Sequence, residues 1–122
     1  MNRLEFEELV FKLFGVKADY PFENDFETGV FRHTDNKKWF AIAMHIKKSR
    51  LGFSDDGYID IVNLKCGEEI VASLLNERGI FPAYHMNKAN WLSVVLDSGA
   101  DLETVEFLLN VSYELTKSKK RK

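Results

Sequence analysis

Residues 82–91 bring together side chains that could bind a ligand or move a proton. They read Pro-Ala-Tyr-His-Met-Asn-Lys-Ala-Asn-Trp. The members with such chemistry are Tyr84, His85, Asn87, Lys88 and Trp91. An imidazole can act as acid, base or acceptor, an ammonium group can pair with a phosphate or a carboxylate, and an aromatic ring can stack on a planar group. The stretch therefore predicts a site for a small anionic ligand or for a partner protein.

An architectural role suits the same stretch equally well. Pro82 and Asn87 could shape a tight turn, and Trp91 could close the edge of a sheet. His85 and Lys88 lie three residues apart, so a short turn of helix would direct both side chains to the same side. The sequence leaves the ligand site and the structural role open as alternatives.

The other reactive side chains form none of the common catalytic patterns. His33, His45 and His85 lack the spacing of a metal-binding motif. The single cysteine, Cys66, excludes an internal disulfide and a cysteine-based zinc site. Its position after Lys65 and before a predicted helix would favour a thiolate, but a small buried side chain is the preferred interpretation. The sequence thus predicts a protein that is not an enzyme and needs no cofactor.

Positive charge is concentrated in one segment of an otherwise acidic chain. The formal net charge is −2, whereas residues 32–50 carry six basic residues against Asp35 alone. The six are Arg32, Lys37, Lys38, Lys47, Lys48 and Arg50. A local cluster attracts phosphate even on an acidic protein, since salt screens charges beyond about 10 Å. The segment predicts a nucleic-acid-binding surface, and ordinary solvated loop charges are the alternative.

Hydrophobic periodicity predicts three helices and four strands. In chain order they are a helix between Asn2 and Gly15, strands over residues 30–33, 38–45 and 58–65, a helix over 68–76, a strand over 91–96 and a helix capped by Asp101. Asn2 and Glu5 have the spacing of a capping box. Hairpin connections indicate an antiparallel sheet with the N- and C-terminal helices packed on one face, an α+β fold.

Alternation along the second strand assigns its side chains to two faces of the sheet. One face is predicted to carry Phe40, Ile42, Met44 and Ile46, and the other Trp39, Ala41, Ala43 and His45. Since both faces are largely apolar, this strand should be central. The buried stripe of the last helix is predicted to contain Leu102, Val105, Leu108, Leu109 and Ser112.

Length and composition fit a single domain. The chain has 122 residues, of which 45% are hydrophobic, enough for one core. The prediction is a domain over residues 1–116 and a basic disordered tail over 117–122. No run approaches the about 20 apolar residues of a membrane span, and the start of the chain lacks a signal-peptide pattern. The sequence predicts a cytoplasmic monomer or weak dimer without a membrane partner.

Three motifs resemble the MmcQ/YjbR family of small bacterial proteins. They are Asn63-Leu64-Lys65-Cys66 before a helix, residues 82–88 with Trp91 and Val94, and Ser112-Tyr113-Glu114-Leu115-Thr116. The resemblance implies a CyaY-like (frataxin-like) fold and DNA binding through two β-hairpins that protrude as a double wing. It also implies that Lys65 is a second cation beside the central stretch. Asn90 departs from the family, which commonly has a histidine there, so that no role of that histidine carries over.

Overall fold

The computed structural model describes residues 1–97 and 99–119. Ser98 and residues 120–122 lie outside the described residues, so the predicted tail is described only as far as Lys119. The elements are α1 (Arg3–Phe14), β1 (Gly29–Arg32), β2 (Trp39–Lys47), β3 (Tyr58–Lys65), α2 (Glu68–Leu74), β4 (Ile80–Pro82), β5 (Trp91–Val95) and α3 (Leu102–Thr116). A short 3₁₀ helix, Lys48–Leu51, follows β2.

The strands form one sheet in the order β1-β2-β3-β5-β4, with every neighbouring pair antiparallel. The predicted α+β fold is confirmed, and β2 lies between two partners as expected. The sequence pattern misses β4, because this strand has only three residues and one of them is Pro82. Proline cannot donate to a sheet hydrogen bond and is tolerated at an edge such as this one.

The first helix begins and ends where its sequence signals predict. Asn2 Oδ1 accepts from the Glu5 N–H at 2.8 Å, and Glu5 Oε1 accepts from the Asn2 N–H at 2.8 Å, which completes a capping box. Gly15 ends the helix in the left-handed conformation, with φ of 69°. Phe6 and Val10 are its buried residues.

The main core lies between the sheet and the helices α1 and α3. Side chains of both helices and of all five strands form one buried cluster; among them are Phe6, Val10, Phe31, Ala43, Val62, Leu64, Ile80, Leu92, Val94, Val105, Leu108 and Leu109. The predicted stripe of α3 is buried only from its second turn onward. Leu102 is 55% exposed, which corrects the expectation that it would be buried. Asp101 holds the N-cap position, but its side chain makes no capping hydrogen bond.

A β-bulge at Phe40 changes the predicted faces of β2. Phe31 is opposite Ala41, while Arg32 is opposite Trp39, so Phe40 is an extra residue on its strand. Its ring is fully buried on the helix side, 5.6 Å from Phe14 and 5.0 Å from Tyr113 between centroids. The expectation that Phe40 shares a face with Ile42 is therefore wrong, because strict alternation does not continue through a bulge.

The sheet surface opposite α1 and α3 is called here the open face. Its members on β2, β3 and β5 are Ile42, Met44, Ile46, Ile59, Ile61, Asn63, Ser93 and Val95. It is partly covered: Leu51 of the 3₁₀ helix and Tyr84 of the loop after β4 pack with Met44, Ile59 and Phe81 against a second apolar cluster, which consists of Ile46, Ile61 and Val95. In the described part of the chain, no helix is long and apolar enough to cross a membrane.

A buried histidine fixes the β1–β2 turn to the end of α3. His33 is 3% exposed, and its Nε2 lies 2.8 Å from Thr116 Oγ1. That hydroxyl donates to the Ser112 carbonyl at 2.7 Å, so Nε2 must carry the proton that joins His33 to Thr116. Asn36 Nδ2 in the turn donates to the Thr116 carbonyl at 3.0 Å. Burial lowers the pKa of His33, although the negative charge of Asp35 opposes this shift.

We expect this histidine to make the protein less stable in mild acid. The unfolded chain, with an ordinary histidine pKa near 6.5, binds the extra proton more readily than the folded chain does. The stability that depends on a neutral His33 is therefore fully present above about pH 6.5. It is lost as the pH falls through the lower pKa of His33 in the folded state. Urea unfolding at a series of pH values measures this loss.

The variant His33→Gln should flatten this pH dependence, although it lowers stability at neutral pH. His85→Gln is the matched control, because it makes the same substitution at an exposed histidine. If His33→Gln lost stability with acid as steeply as the unmodified protein, the role assigned to His33 would be wrong.

Candidate functional site on the open face

A closed ring of hydrogen bonds holds the start of the 82–91 stretch against the open face. The Tyr84 N–H donates to Ser93 Oγ at 2.8 Å, and Ser93 Oγ donates to Asn63 Oδ1 at 2.6 Å. Asn63 Nδ2 completes the ring by donating to the Tyr84 carbonyl at 2.9 Å. Asn63 and Ser93 are opposite each other on β3 and β5 and are 1% and 0% exposed. These two side chains therefore have a structural role: they hold the loop against the sheet.

The rest of the stretch is shaped by two asparagines. Asn87 Oδ1 accepts from the Ala89 N–H at 2.8 Å, and its carbonyl accepts from the Trp91 N–H at 3.0 Å. The Asn90 carbonyl accepts from the N–H groups of Cys66 and Gly67 at 2.8 and 3.1 Å, which joins the loop to the start of α2. The loop consists of turns, so the short helix considered from the sequence is not formed.

His85 and Met86 are the members of the stretch that line a groove, and His85 is the titratable one. It is exposed, and its φ of 58° is in the left-handed region that few residues other than glycine adopt. The Tyr84 ring lies 4.0 Å from the imidazole between centroids. Such a conformation costs about 1–3 kcal/mol and persists only where its surroundings impose it. The hydrogen-bonded ring at Tyr84 is the neighbouring contact that can impose it.

The groove runs over β2 and has a volume of about 340 Å³. Loop residues 22–28 form one wall, the loop at His85 and Met86 forms the other, and β2 supplies the floor. Its lining residues are Phe22, Asp25, Thr28, Trp39, Ile42, Met44, Asn63, His85 and Met86. Trp39 lies on the same face as Ile42 and Met44, although alternation predicted the opposite face. The bulge at Phe40 is the reason, because one extra residue in the strand moves the Trp39 side chain to the other face.

Asp25 gives the groove a negative charge. Its Oδ1 accepts from the N–H groups of Glu27 and Thr28, each at 3.0 Å, and its Oδ2 accepts from Thr28 Oγ1 at 2.6 Å. The bond from the Thr28 hydroxyl is the main cause that lowers the pKa of Asp25, so the carboxylate is ionised at neutral pH. Sequence reasoning missed Phe22, Asp25 and Trp39. The spacing of Asp25 and Thr28, typical of a side-chain-capped turn, was the available signal.

The cations of the predicted ligand site lie outside this groove. Lys88 is exposed in the loop, and Lys65 ends β3 opposite Trp91, which is partly buried at the start of β5. Neither Lys65, Lys88 nor Trp91 lines the groove with His85. The groove is therefore lined mainly by aromatic and apolar side chains, with Asp25 and His85 as its titratable groups.

Two of the six basic residues in the segment 32–50 are paired with acids. Arg32 binds Asp19 through two nitrogens, Nε to Oδ2 at 2.8 Å and Nη2 to Oδ1 at 3.2 Å, and its guanidinium lies 5.7 Å from the Trp39 ring. Lys48 Nζ lies 3.0 Å from Asp55 Oδ2. Partners at these distances leave Arg32 and Lys48 less available to phosphate.

The other four basic residues divide between the two ends of β2. Lys37 and Lys38 directly precede this strand, Lys47 is its last residue, and Arg50 lies in the 3₁₀ helix beyond it. All four are exposed, and within the described residues none has an acidic group within salt-bridge distance. Lys38 and Lys47 are nine residue steps apart along β2, a distance of about 30 Å. The structure thus does not gather the six bases into one patch.

A second cavity, of about 580 Å³, lies at the far end of the sheet. His45 Nδ1 is 2.8 Å from Asp60 Oδ1, and its ring stacks on Tyr58 with centroids 5.0 Å apart. Both His45 and Asp60 line this cavity. No group of three or more His, Cys, Asp or Glu side chains among the described residues could hold a metal ion.

The amino-acid sequence is similar to known proteins over most of its length. A family model described as YjbR matches residues 11–115. The uncharacterized protein YyaQ of Bacillus subtilis strain 168 is 40% identical over 104 residues, which cover 85% of this chain and 88% of that protein.

Two solved structures of a Pseudomonas syringae protein are also similar. The crystal structure is 39% identical, has a TM-score of 0.92 and covers 96% of this chain and 100% of that chain. The solution NMR structure is 37% identical, has a TM-score of 0.88 and covers 100% of this chain and 98% of that chain.

Removing the hydroxyl of Ser93 should destabilise both the sheet and the loop. Ser93→Ala leaves the Tyr84 N–H and Asn63 Oδ1 buried without this partner, at a cost of about 1–3 kcal/mol for each group. We expect a loss of free energy of unfolding in urea and faster hydrogen exchange of the Tyr84 amide. Ser54→Ala, at an exposed loop serine, is the control. An unchanged free energy of unfolding in Ser93→Ala would contradict the importance of the ring.

Cys66 should react slowly with thiol reagents in the folded protein. The thiol is buried, at 4% exposure, and burial raises its pKa to about 11. Since the thiolate is the reacting species, we expect the reaction at neutral pH to be about a hundredfold slower than in the unfolded chain. A chromogenic thiol assay with and without urea measures both rates. Equal rates would show that Cys66 is accessible and would restore the thiolate interpretation.

Proposed function

The chain belongs to the MmcQ/YjbR family, and we propose that it is a non-enzymatic DNA-binding protein that applies the open face of its sheet to the nucleic acid. The observation that carries this proposal is the placement of exposed basic side chains at both ends of β2, on either side of that face. Lys37 and Lys38 hold one end, and Lys47 and Arg50 hold the other.

The spacing of the two pairs suits a nucleic-acid backbone. Their separation of about 30 Å is close to the about 34 Å of one helical turn of duplex DNA, so that the two ends can reach phosphates about one turn apart. The turn before β2 and the loop after it then act as the two wings that the family resemblance implies. The His33–Thr116 contact supports the first wing by holding its turn on the end of α3.

Local charge sets the expected strength of binding. The first wing, residues 34–38, has two lysines against Asp35, and the second, residues 47–57, has three bases against two aspartates. Each wing thus has a net charge of only +1 by this count. Such a surface suits weak, salt-sensitive binding without strong sequence preference, with a Kd of about 10⁻⁴–10⁻⁶ M. A protein with this role would work in the cytoplasm, as a monomer or weak dimer.

Replacing the basic residues should reduce the dependence of DNA affinity on salt. Each phosphate contact contributes about 0.9 to the slope of log K against log salt concentration for duplex DNA. We expect Lys37→Gln with Lys38→Gln, and separately Lys47→Gln with Arg50→Gln, each to lower this slope by about 1–2. Fluorescence anisotropy with a labelled duplex at several salt concentrations measures it.

The matched control is the double variant Lys12→Gln with Lys17→Gln, which removes the same charge from exposed positions at the end of α1 and just beyond it. A further variant separates the contribution of the basic tail; it combines Lys117→Gln, Lys119→Gln, Lys120→Gln, Arg121→Gln and Lys122→Gln. If both wing variants kept the original slope while the tail variant lost it, binding through the wings would be refuted.

A further inference from the structure

We propose that the groove over β2 holds an unpaired nucleobase, so that the protein binds single-stranded nucleic acid more tightly than duplex. This inference rests on the proposed function and deepens it. It concerns Phe22, Asp25 and Trp39, which line the groove. The groove extends over β2, and basic residues lie at both ends of this strand.

The aromatic side chains that line the groove can contact a flat ring. The Phe22 and Trp39 rings are 6.0 Å apart between centroids and almost perpendicular, at 89°. Phe22 is 39% exposed, and Trp39 is partly exposed, so both offer ring surface to a ligand. The volume of about 340 Å³ is in the range of small-molecule pockets, which begin near 300 Å³. Stacking on aromatic side chains is how sequence-tolerant proteins hold single-stranded bases.

The charges separate the base from its phosphates. The ionised Asp25 repels a phosphate from the groove, but its Oδ2, which accepts one bond from Thr28, can accept another from a base amino group. His85 offers a second hydrogen-bonding group on the opposite wall. Phosphates are instead attracted to the lysines at the strand ends. This division of charge fits a nucleotide chain with a base turned inward.

The path of β2 suits a single strand lying along it. The about 30 Å between the basic ends can accommodate four or more nucleotides, the lower limit for small single-strand binding modules. In a duplex the bases are paired and stacked, so they could enter a groove flanked by two loops only after extrusion, which costs free energy. The groove therefore discriminates against paired bases.

Fluorescence titration tests this inference directly. In a Trp91→Phe background, Trp39 is the only tryptophan and reports on stacking. A twelve-nucleotide single strand and the corresponding duplex are each titrated into the protein. Both titrations are done at the same salt concentration, and the pair is repeated at several salt concentrations. We expect the single strand to bind at least about tenfold more tightly and to quench Trp39 fluorescence, the tenfold being the effect of a modest stacking contact.

Two variants form a matched pair. Phe22 and Phe107 are 39% and 53% exposed, but Phe107 lies on α3 and does not line the groove. Phe22→Leu should lower single-strand affinity about tenfold and leave duplex affinity within about twofold, whereas Phe107→Leu should change neither. Equal affinities for single strand and duplex, or equal effects of the two variants, would overturn the inference. Salt-dependent duplex binding would then leave the proposed function standing, and absence of binding to either nucleic acid would overturn both.

Discussion

The hydrogen-bonded ring of Asn63, Ser93 and the Tyr84 backbone is the interaction on which the open face depends. It is buried between β3 and β5, and each of its side-chain groups meets a partner within it. Low polarity makes such groups costly to leave unpaired, which gives the loop one position rather than several. That position places His85 and Met86 as a wall over β2. Much of the motif therefore serves to build a surface.

The bulge at Phe40 is the second constraint. One extra residue turns Phe40 into the helix-side core, where it packs against Phe14 and Tyr113. The same extra residue brings Trp39 to the groove beside Ile42 and Met44. Bulges commonly redirect a side chain at functional edges. Here a single irregularity supplies both a large aromatic side chain of the core and an aromatic side chain of the floor of the candidate site.

The electrostatic character of this surface depends more on where its basic side chains lie than on how many there are. Residues 32–50 are rich in bases, but Asp19 and Asp55 pair with two of them. The remaining four are divided by the length of β2, so that charge borders the open face and does not fill it. The carboxylate of Asp25, within the groove, makes the centre of the face different from its ends. A ligand with separated apolar and anionic parts fits this pattern.

The sequence by itself determined the three helices, four of the five strands and the family. Capping of α1 by Asn2 and Glu5, the β-forming residues of β3 and the apolar stripe of α3 are local signals, and each was sufficient to predict its element. It also marked His85 as a candidate site residue, but it joined His85 to Lys65 and Lys88 and did not include Phe22, Asp25 and Trp39, which line the groove with His85. Only the tertiary structure decided those neighbours, because the bulge at Phe40 and the pairing of Asn63 with Ser93 depend on contacts between residues distant in the chain. Periodicity records which side of its own element a residue occupies, whereas the composition of a groove depends on how separate loops meet over a strand.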